Sequence, residues 1–509
     1  MHTEDIEHSA DPVKRGDSAQ KKMETPLLLR ELSPEERAEL EKKLCQKIDL
    51  RLLPMVILMY IMNYLDRNNI ASARLGGLEA DLGLPADGPQ YQTAVSILFV
   101  GYILMQIPSN LLLNKVGKPA LYLPGCMVIW GIISGATAGT QNFGGLIACR
   151  FFLGFVEAAY FPGCLYYLSC WYTRKELGFR TALLYSGSLL SGAFSGLIAA
   201  GITNGMDGAG GLRAWRWLFI IEGAITVVIA VAAFFILPNF PRTTPWLTQE
   251  ERALAIHRLA EDIGSDDWTS STDQTFLHGL YLAVADPKVW ALAVLLFGFV
   301  AAGSVTNFFP TVVQTLGYSN VNSLLLTVPP YILGLLTTFI NSWHADRTGE
   351  RFFHITLPLI VGLAAFIIAA TTEAVAPRYV AMMLMIPGVY TGYVVALAWI
   401  SNTIPRPPAK RAAALAAINA LSNASSIYAS FMYPKSAGPR YKVAMGVNCA
   451  MVGMSAVAAA VLRVWLARLN KRLDRGEFVE GAVNGPRRGV DDVVGVPEEA
   501  AGKGFRFLI

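Results

Sequence analysis

Twelve apolar runs alternate with short polar stretches along the chain, near 50–71, 91–113, 119–138, 144–168, 179–202, 216–237, 289–313, 321–343, 352–372, 378–400, 411–433 and 443–467. A bilayer core needs about 20 apolar residues per helix, which is the length of these runs. Helix is the assignment they allow, because an open strand in lipid leaves backbone groups unpaired. The pattern predicts an all-α membrane protein with twelve transmembrane helices in two six-helix bundles. Its expected divisions are an N-terminal region over 1–49, a first bundle over 50–237, a linker over 238–288, a second bundle over 289–469 and a tail over 470–509. The linker contains LTQEERALAIHRLAED, in which Thr248 and Glu251 have the spacing of a capping box. Ser33 and Glu36 repeat that spacing before the first run. The charged, Gly-rich tail from about Asn470 is expected to be disordered.

Composition agrees with this class. Hydrophobic residues make up 53% and charged residues 16%, against about 25% charged in ordinary soluble domains. The net charge of +4, with no concentrated basic region, gives no case for a nucleic-acid partner. Five of the six cysteines (Cys126, Cys149, Cys164, Cys170, Cys449) fall in apolar runs and read as small packing residues, with no metal or disulfide spacing. About 50 polar residues precede the first run, so no signal peptide is expected. Short loops on the side of the termini carry ten basic residues against seven on the other. With the basic run after the last apolar stretch, that excess predicts cytoplasmic termini. The plasma membrane is the expected location. No HExxH, G-x-S-x-G, P-loop or dinucleotide motif is present, so neither an ATP-driven pump nor a soluble-type enzyme is indicated, and no cofactor is expected.

Ionisable side chains within the apolar runs are the candidate chemistry. Each costs roughly 2.5–3.5 kcal/mol on insertion scales and is a functional hypothesis by default. Five stand out, all in the first half: Asp66, Arg67, Arg150, Glu157 and Glu222. At 100° per residue Tyr60, Asn63, Tyr64 and Arg67 share one helix face, as a cavity lining would, and Asp66 points sideways toward a neighbour. The competing reading places Asp66 and Arg67, hydrated, at the membrane interface. Arg150 and Glu157 lie seven apart on one face of the fourth run, so Glu157 is either a proton carrier or a structural partner of a cation. Glu222, two turns inside the sixth run, reads as structural. The second half offers Asn307, Tyr390, Tyr393, Asn419 and Asn423, each either interhelical glue or a ligand contact. Pro162-Gly163, Pro329-Pro330 and Pro387-Gly388 are expected to interrupt their helices. The small-xxx-small sets Gly131, Gly135, Gly139 and Gly192, Gly196 predict close helix contact. A charged turn around glycine recurs after the second and eighth runs, as NKVGK (114–118) and DRTGER (346–351). That recurrence suggests repeated six-helix units with a site between them.

Four stretches, NYLDRNNI (63–70), RFFLGFVEAAYFPG (150–163), WRWLFIIEG (215–223) and KRAAALAAINALSNASSIYASFMYP (410–434), carry a resemblance. Over about 45–475 the chain resembles the major facilitator superfamily, specifically the anion:cation symporter family and its fungal allantoate, nicotinate and pantothenate permease-like group. The resemblance implies proton-coupled symport of a small organic anion by alternating access. It implies that Arg67 contacts the substrate carboxylate and that Asp66 and Glu157 are proton sites. Arg150 would partner Asp66, and Asn419 or Asn423 would help hold substrate. The family's first cytoplasmic loop pattern is degenerate here, as SNLLLNKVGK (109–118), which puts the strength of that gate in doubt. Its second copy keeps Asp346, Arg347 and Gly349. The expected partners are a small organic anion, protons and the lipid bilayer, with the protein acting as a monomer. Efflux or exchange on the same fold, and an anion sensor without transport, remain alternatives; an intramembrane enzyme is more distant.

Overall fold

The computed structural model describes residues 33–85, 88–116, 118–263, 276–404, 408–477, 479 and 506–509. Among the described residues there are helices and no strands. Eleven helices are long and apolar enough to cross a membrane: α1 Pro34–Leu75, α2 Gln90–Ser109, α3 Pro119–Gly139, α4 Phe143–Ser169, α5 Phe179–Gly205, α6 Ala214–Ile236, α7 Pro287–Gln314, α8 Asn320–Thr348, α9 Phe352–Thr371, α10 Val375–Ile400 and α12 Lys442–Asp474. The remaining expected run is α11, Pro408–Ala429, a helix of 22 residues. It carries the polar residues Asn419, Ser422, Asn423, Ser425 and Ser426 among its apolar positions.

The helices pack as two bundles. In the first, α3 lies on α6, α2 on α4, and α1 on α5 and α6; in the second, α10 lies on α8 and α9, and α7 on α11 and α12. Small residues set the closest approaches. A Cβ at Gly223 of α6 would stand 2.6 Å from the Gly135 amide nitrogen of α3, so the Gly131/Gly135 face permits contact that any side chain would prevent. The bundles meet through α2 with α11 and α5 with α8. There a Cβ at Gly192 would collide with the Tyr331 ring, and one at Gly196 with Thr327.

Proline accounts for two of the three expected interruptions. Helix α4 breaks at Ala158–Ala159, between Phe143–Glu157 and Tyr160–Ser169. Pro162 cannot donate to the Ala158 carbonyl, so the ladder opens one turn before it, directly after Glu157. Pro329 and Pro330 occupy the first turn of Val328–Thr348, where a missing N–H costs nothing. Pro387 departs from expectation and sits inside the unbroken helix Val375–Thr403. Close packing against α9, where a Cβ at Gly388 would lie 2.5 Å from the Gly362 amide nitrogen, holds that helix together across its lost hydrogen bond. A further break, unexpected from the sequence, is the 3-10 turn Ser304–Phe308 in α7 ahead of Pro310.

The linker contains the helices Gln249–Ile263 and Phe276–Ala285. Both expected capping boxes form: Ser33 with Glu36, and Thr248 with Glu251. A third, Thr173 with Glu176, opens the helix that leads into α5. Helix Gln249–Ile263 docks on the first bundle through Lys47–Glu251 (2.7 Å), Arg258–Glu176 (2.9 Å) and the stacking of Trp246 on Trp171. The tail departs from its expected disorder at both described ends. Helix α12 runs on to Asp474, and Arg506–Ile509 returns to the second bundle. Phe507 exchanges two backbone bonds with the Asn470 side chain, Trp399 donates to the Leu508 carbonyl, and the Arg351 amide donates to that of Ile509. Residues 480–505 lie outside the described set.

Partial burial pushes the Glu176 carboxyl up, but the Cys45 thiol donating to it and the Arg258 guanidinium beside it outweigh burial and hold it below the usual carboxylate range. For Glu251, burial likewise pushes up, and the hydrogen bond from Lys47 outweighs it. Both groups therefore titrate lower in the folded protein than in the unfolded chain, so their stabilisation is present above about pH 4–5 and is lost as pH falls through the folded values. Hydrogen-exchange protection of the residue 249–263 amides, relative to their intrinsic rates at each pH, is expected to be high at neutral pH and to fall on acidification below pH ~4, ahead of the membrane helices. Protection that persists through that range would assign the docking to the Trp171–Trp246 contact instead.

Candidate functional site: a polar cavity between the bundles

The 3-10 turn in α7 opens onto a cavity between the two halves. Tyr60, Asn63, Tyr64 and Arg67 of α1 line it together with Asn307 of α7, Tyr390 and Tyr393 of α10, and Asn419 and Asn423 of α11. All nine candidate contact residues therefore meet at one place, although they come from four helices and both bundles. Tyr102, Phe161, Tyr185, Phe299, Thr306 and Ser426 also line it and were not singled out in the sequence. Tyr102 and Tyr185 are lone tyrosines in apolar runs, and nothing in their local pattern separates them from packing residues.

Arg67 is the cation of this cavity. Its Nε donates to Glu157 Oε2 at 2.9 Å, with Glu157 fully buried and Arg67 8% exposed. The guanidinium carbon lies 5.1 Å from the Tyr64 ring centroid and 4.8 Å from that of Tyr102, close enough for cation–π attraction. Among the described residues, no hydrogen bond is made by its two terminal nitrogens. A side-on guanidinium held at Nε and flanked by rings presents its other edge to the cavity. That edge is a two-donor fork of the kind that matches a carboxylate.

Arg150 differs from expectation. It does not bond Asp66; its Nη2 donates to the Arg67 carbonyl at 3.0 Å and its Nε to the Ala94 carbonyl at 3.4 Å. It ties α4 to the backbones of α1 and α2 and so sets where Arg67 begins. Asp66 turns away from α4. Its Oδ1 accepts from Ser134 of α3 and its Oδ2 from Thr226 of α6, each at 2.7 Å. Two hydroxyls on neighbouring helices satisfy this carboxylate, a pairing that no charge pattern in the sequence announces. Asp66, Glu157, Arg150 and Glu222 all lie outside the cavity lining. Across from Arg67, the Asn423 amide is turned onto the Asn419 side chain and carbonyl, at 3.0 and 2.8 Å.

At the end of the molecule away from Pro34 and Asp474, the halves are pinned together. Glu79 pairs with Lys435 of the second half and with Arg74 at 2.8 Å, and Arg74 lies over Tyr91. Asn320 adds a bond to the Leu75 carbonyl. At the opposite end the charged turn of the second half is intact. Asp346 pairs with Arg351 at 2.8 Å, Arg347 lies over Trp343, and Gly349 takes the left-handed conformation (φ 70°) that ends α8. Side chains of the corresponding first turn at Asn114 and Lys115, with Gly117, lie outside the described residues.

Two helical bundles around a cavity with one presented guanidinium define a membrane carrier, and sequence comparison agrees. Residues 56–430 match the Major Facilitator Superfamily, and the chain belongs to that family. It is 33% identical to the major facilitator-type transporter hxnP of Emericella nidulans, over 86% of this chain and 88% of that one. It is 35% identical to the MFS-type transporter cnsO of Penicillium expansum, over 85% and 84%. Among solved structures it resembles the proton:xylose symporter XylE (TM-score 0.63, 16% identity, 80% of this chain and 94% of that one). It also resembles a bacterial homologue of the lysosomal transporter Spinster in an inward-facing conformation (TM-score 0.59, 15% identity, 81% and 96%). These structures share its fold. The protein is thus an integral, multi-pass transporter of this superfamily.

Removing one partner of a buried ion pair strands the other charge, at a cost of about 3–5 kcal/mol. Arg67→Ala is therefore expected to lower the thermal stability of the purified protein clearly. The double change Arg67→Met with Glu157→Gln should recover most of the loss. Equal stability of Arg67→Ala and wild type would show that the pair is not the buried interaction described.

Proposed function

We propose that the protein is a proton-coupled symporter of a small organic anion, a carboxylate of the allantoate, nicotinate or pantothenate kind. The observation that carries this reading is the Arg67 fork, presented to the cavity while its Nε holds Glu157. An arriving carboxylate and the Glu157 carboxylate share one cation. When the anion takes the fork, Glu157 loses part of its counter-charge, and a proton restores neutrality. Proton and anion then cross together because neither charge state is affordable alone in a water-poor interior. Tyrosines on both bundles clasp the body of the solute, with Asn63, Asn307, Asn419 and Asn423 supplying hydrogen bonds. Arg150 holds the backbone from which Arg67 projects, and Asp66 is a second proton site backed onto α3 and α6.

In this reading α11 is the twelfth span and the termini are cytoplasmic. Rocking of the bundles about α2–α11 and α5–α8 exposes the cavity to each side in turn, with Glu79–Lys435 closing the outer side and the Asp346, Arg347, Gly349 turn on the inner side. One chain completes the cavity, so the unit of transport is a monomer, acting at the plasma membrane.

Uptake of labelled carboxylates at acidic outside pH tests the proposal. Arg67→Lys keeps a charge for Glu157 but loses the bidentate fork, and uptake is expected to fall at least about tenfold, the loss of roughly one charge-assisted hydrogen bond. Unchanged uptake in that variant would remove the binding role. Glu157→Gln is expected to lose gradient-driven accumulation while sparing exchange of internal for external solute. Accumulation that survives the change would sink the coupling assignment. Vesicles with the gradient reversed distinguish uptake from efflux.

A further inference from the structure

Behind α1, on the side away from the cavity, a second set of polar groups is buried between α1, α3 and α6. We propose that Glu222 is a proton-binding site separate from the substrate cavity, and that it carries its proton in the conformation seen here. This extends the proton-coupled reading to a residue that plays no part in it.

The geometry follows from two antiparallel helices. Asp66 of α1 accepts from Thr226 of α6. One turn further along α1 is Asn69, and one turn back along α6 is Glu222, so the two pairs stack as successive rungs of the α1–α6 contact. Asp66, Asn69 and Glu222 are each 0% exposed. The two rungs differ in their hydrogen bonds. Both Asp66 oxygens receive a hydroxyl, whereas neither Glu222 oxygen and neither polar atom of the Asn69 amide has a hydrogen-bond partner.

No cation faces this place. Helix α3, which packs most closely on α6, has no charged residue between Pro119 and Gly139 and offers Ser134 to Asp66. Helix α5 contributes Arg180, which is engaged at the far end of the helix with Asp49 at 2.7 Å, and Tyr185, which lines the cavity. Helix α1 presents Asp66 and Asn69. The remaining nearby acid, Glu157, is held by Arg67 on the other side of α1. A carboxylate here would be desolvated, with only the neutral Asn69 amide beside it as a donor, and next to the Asp66 carboxylate. Each of those conditions costs free energy, and a single proton removes all three. Asp66 holds two bonded hydroxyl donors and Glu222 holds no bonded donor, with only the Asn69 amide nearby, so the proton resides on Glu222. A neutral carboxyl also supplies the O–H that the Asn69 amide oxygen lacks as a partner. The two rungs then form a charge-asymmetric acid pair in the wall of the first bundle, one helical turn apart.

Infrared spectroscopy of the purified transporter in detergent or nanodiscs, without substrate, tests this directly. A protonated-carboxyl band is expected at neutral pH. It should be lost in Glu222→Gln, kept in Glu157→Gln, and shifted in Asp66→Asn. If Glu222→Gln does not yield folded protein, Glu222→Leu, which replaces a neutral buried group with an apolar one of similar size, is read in the same way. A band unaltered by either change at Glu222, or no such band in the wild type, overturns the proposal. The readout requires no transported solute. Failure of anion uptake with the band intact therefore counts against the symport reading alone, and absence of the wild-type band with uptake intact against this inference alone.

Discussion

A charge inside this molecule has no water to fall back on, and the arrangement of the first bundle follows from that constraint. Arg67 and Glu157 stand within 2.9 Å of each other because each would be prohibitive alone. The pair is incomplete, since Arg67 keeps a free edge and Glu157 keeps one oxygen, Oε1, without a partner. An interaction that is necessary yet unsaturated is what a reversible binding site requires. A fully satisfied pair would leave no donor facing the cavity, and a missing one would leave a charge the fold could not hold.

The helices are shaped to place that pair. Arg150 spends its guanidinium on backbone carbonyls of α1 and α2, fixing the origin of Arg67 rather than neutralising an acid. Pro162 opens the α4 ladder immediately after Glu157, so irregular backbone lies buried in protein, where a membrane span tolerates it. The second half answers with a 3-10 turn at Asn307 and with an α11 too rich in Asn and Ser to resemble its neighbours. Between the halves, glycines at 192 and 196 let Tyr331 and Thr327 approach without interlocking large side chains. Contacts of that kind can slide more readily than interdigitated leucines.

Much of the site was legible in the sequence because helix geometry is local. The Tyr60, Asn63, Tyr64, Arg67 face follows from 100° per residue, and the structure places that face on the cavity. The same arithmetic turned Asp66 sideways but left its neighbour undecided. Its hydroxyl donors, Ser134 and Thr226, are ordinary residues on helices about 70 and 160 positions away. Likewise the sequence showed Pro387 in an apolar run but not the Gly362–Gly388 contact that keeps its helix whole.

The sequence by itself therefore determined the class of protein, the positions of its long apolar helices and the charged and polar residues that lie inside them. Those properties come from hydropathy and from turn-by-turn periodicity, which need no partner. Only the tertiary structure decided which charges pair, since pairing depends on which helices are neighbours. It put Arg67 with Glu157, gave Asp66 to two hydroxyls, and left Glu222 without a bonded donor. A carboxyl side chain in each of three similar apolar runs thus acquired three different environments, set by long-range packing of helices that share no local signal.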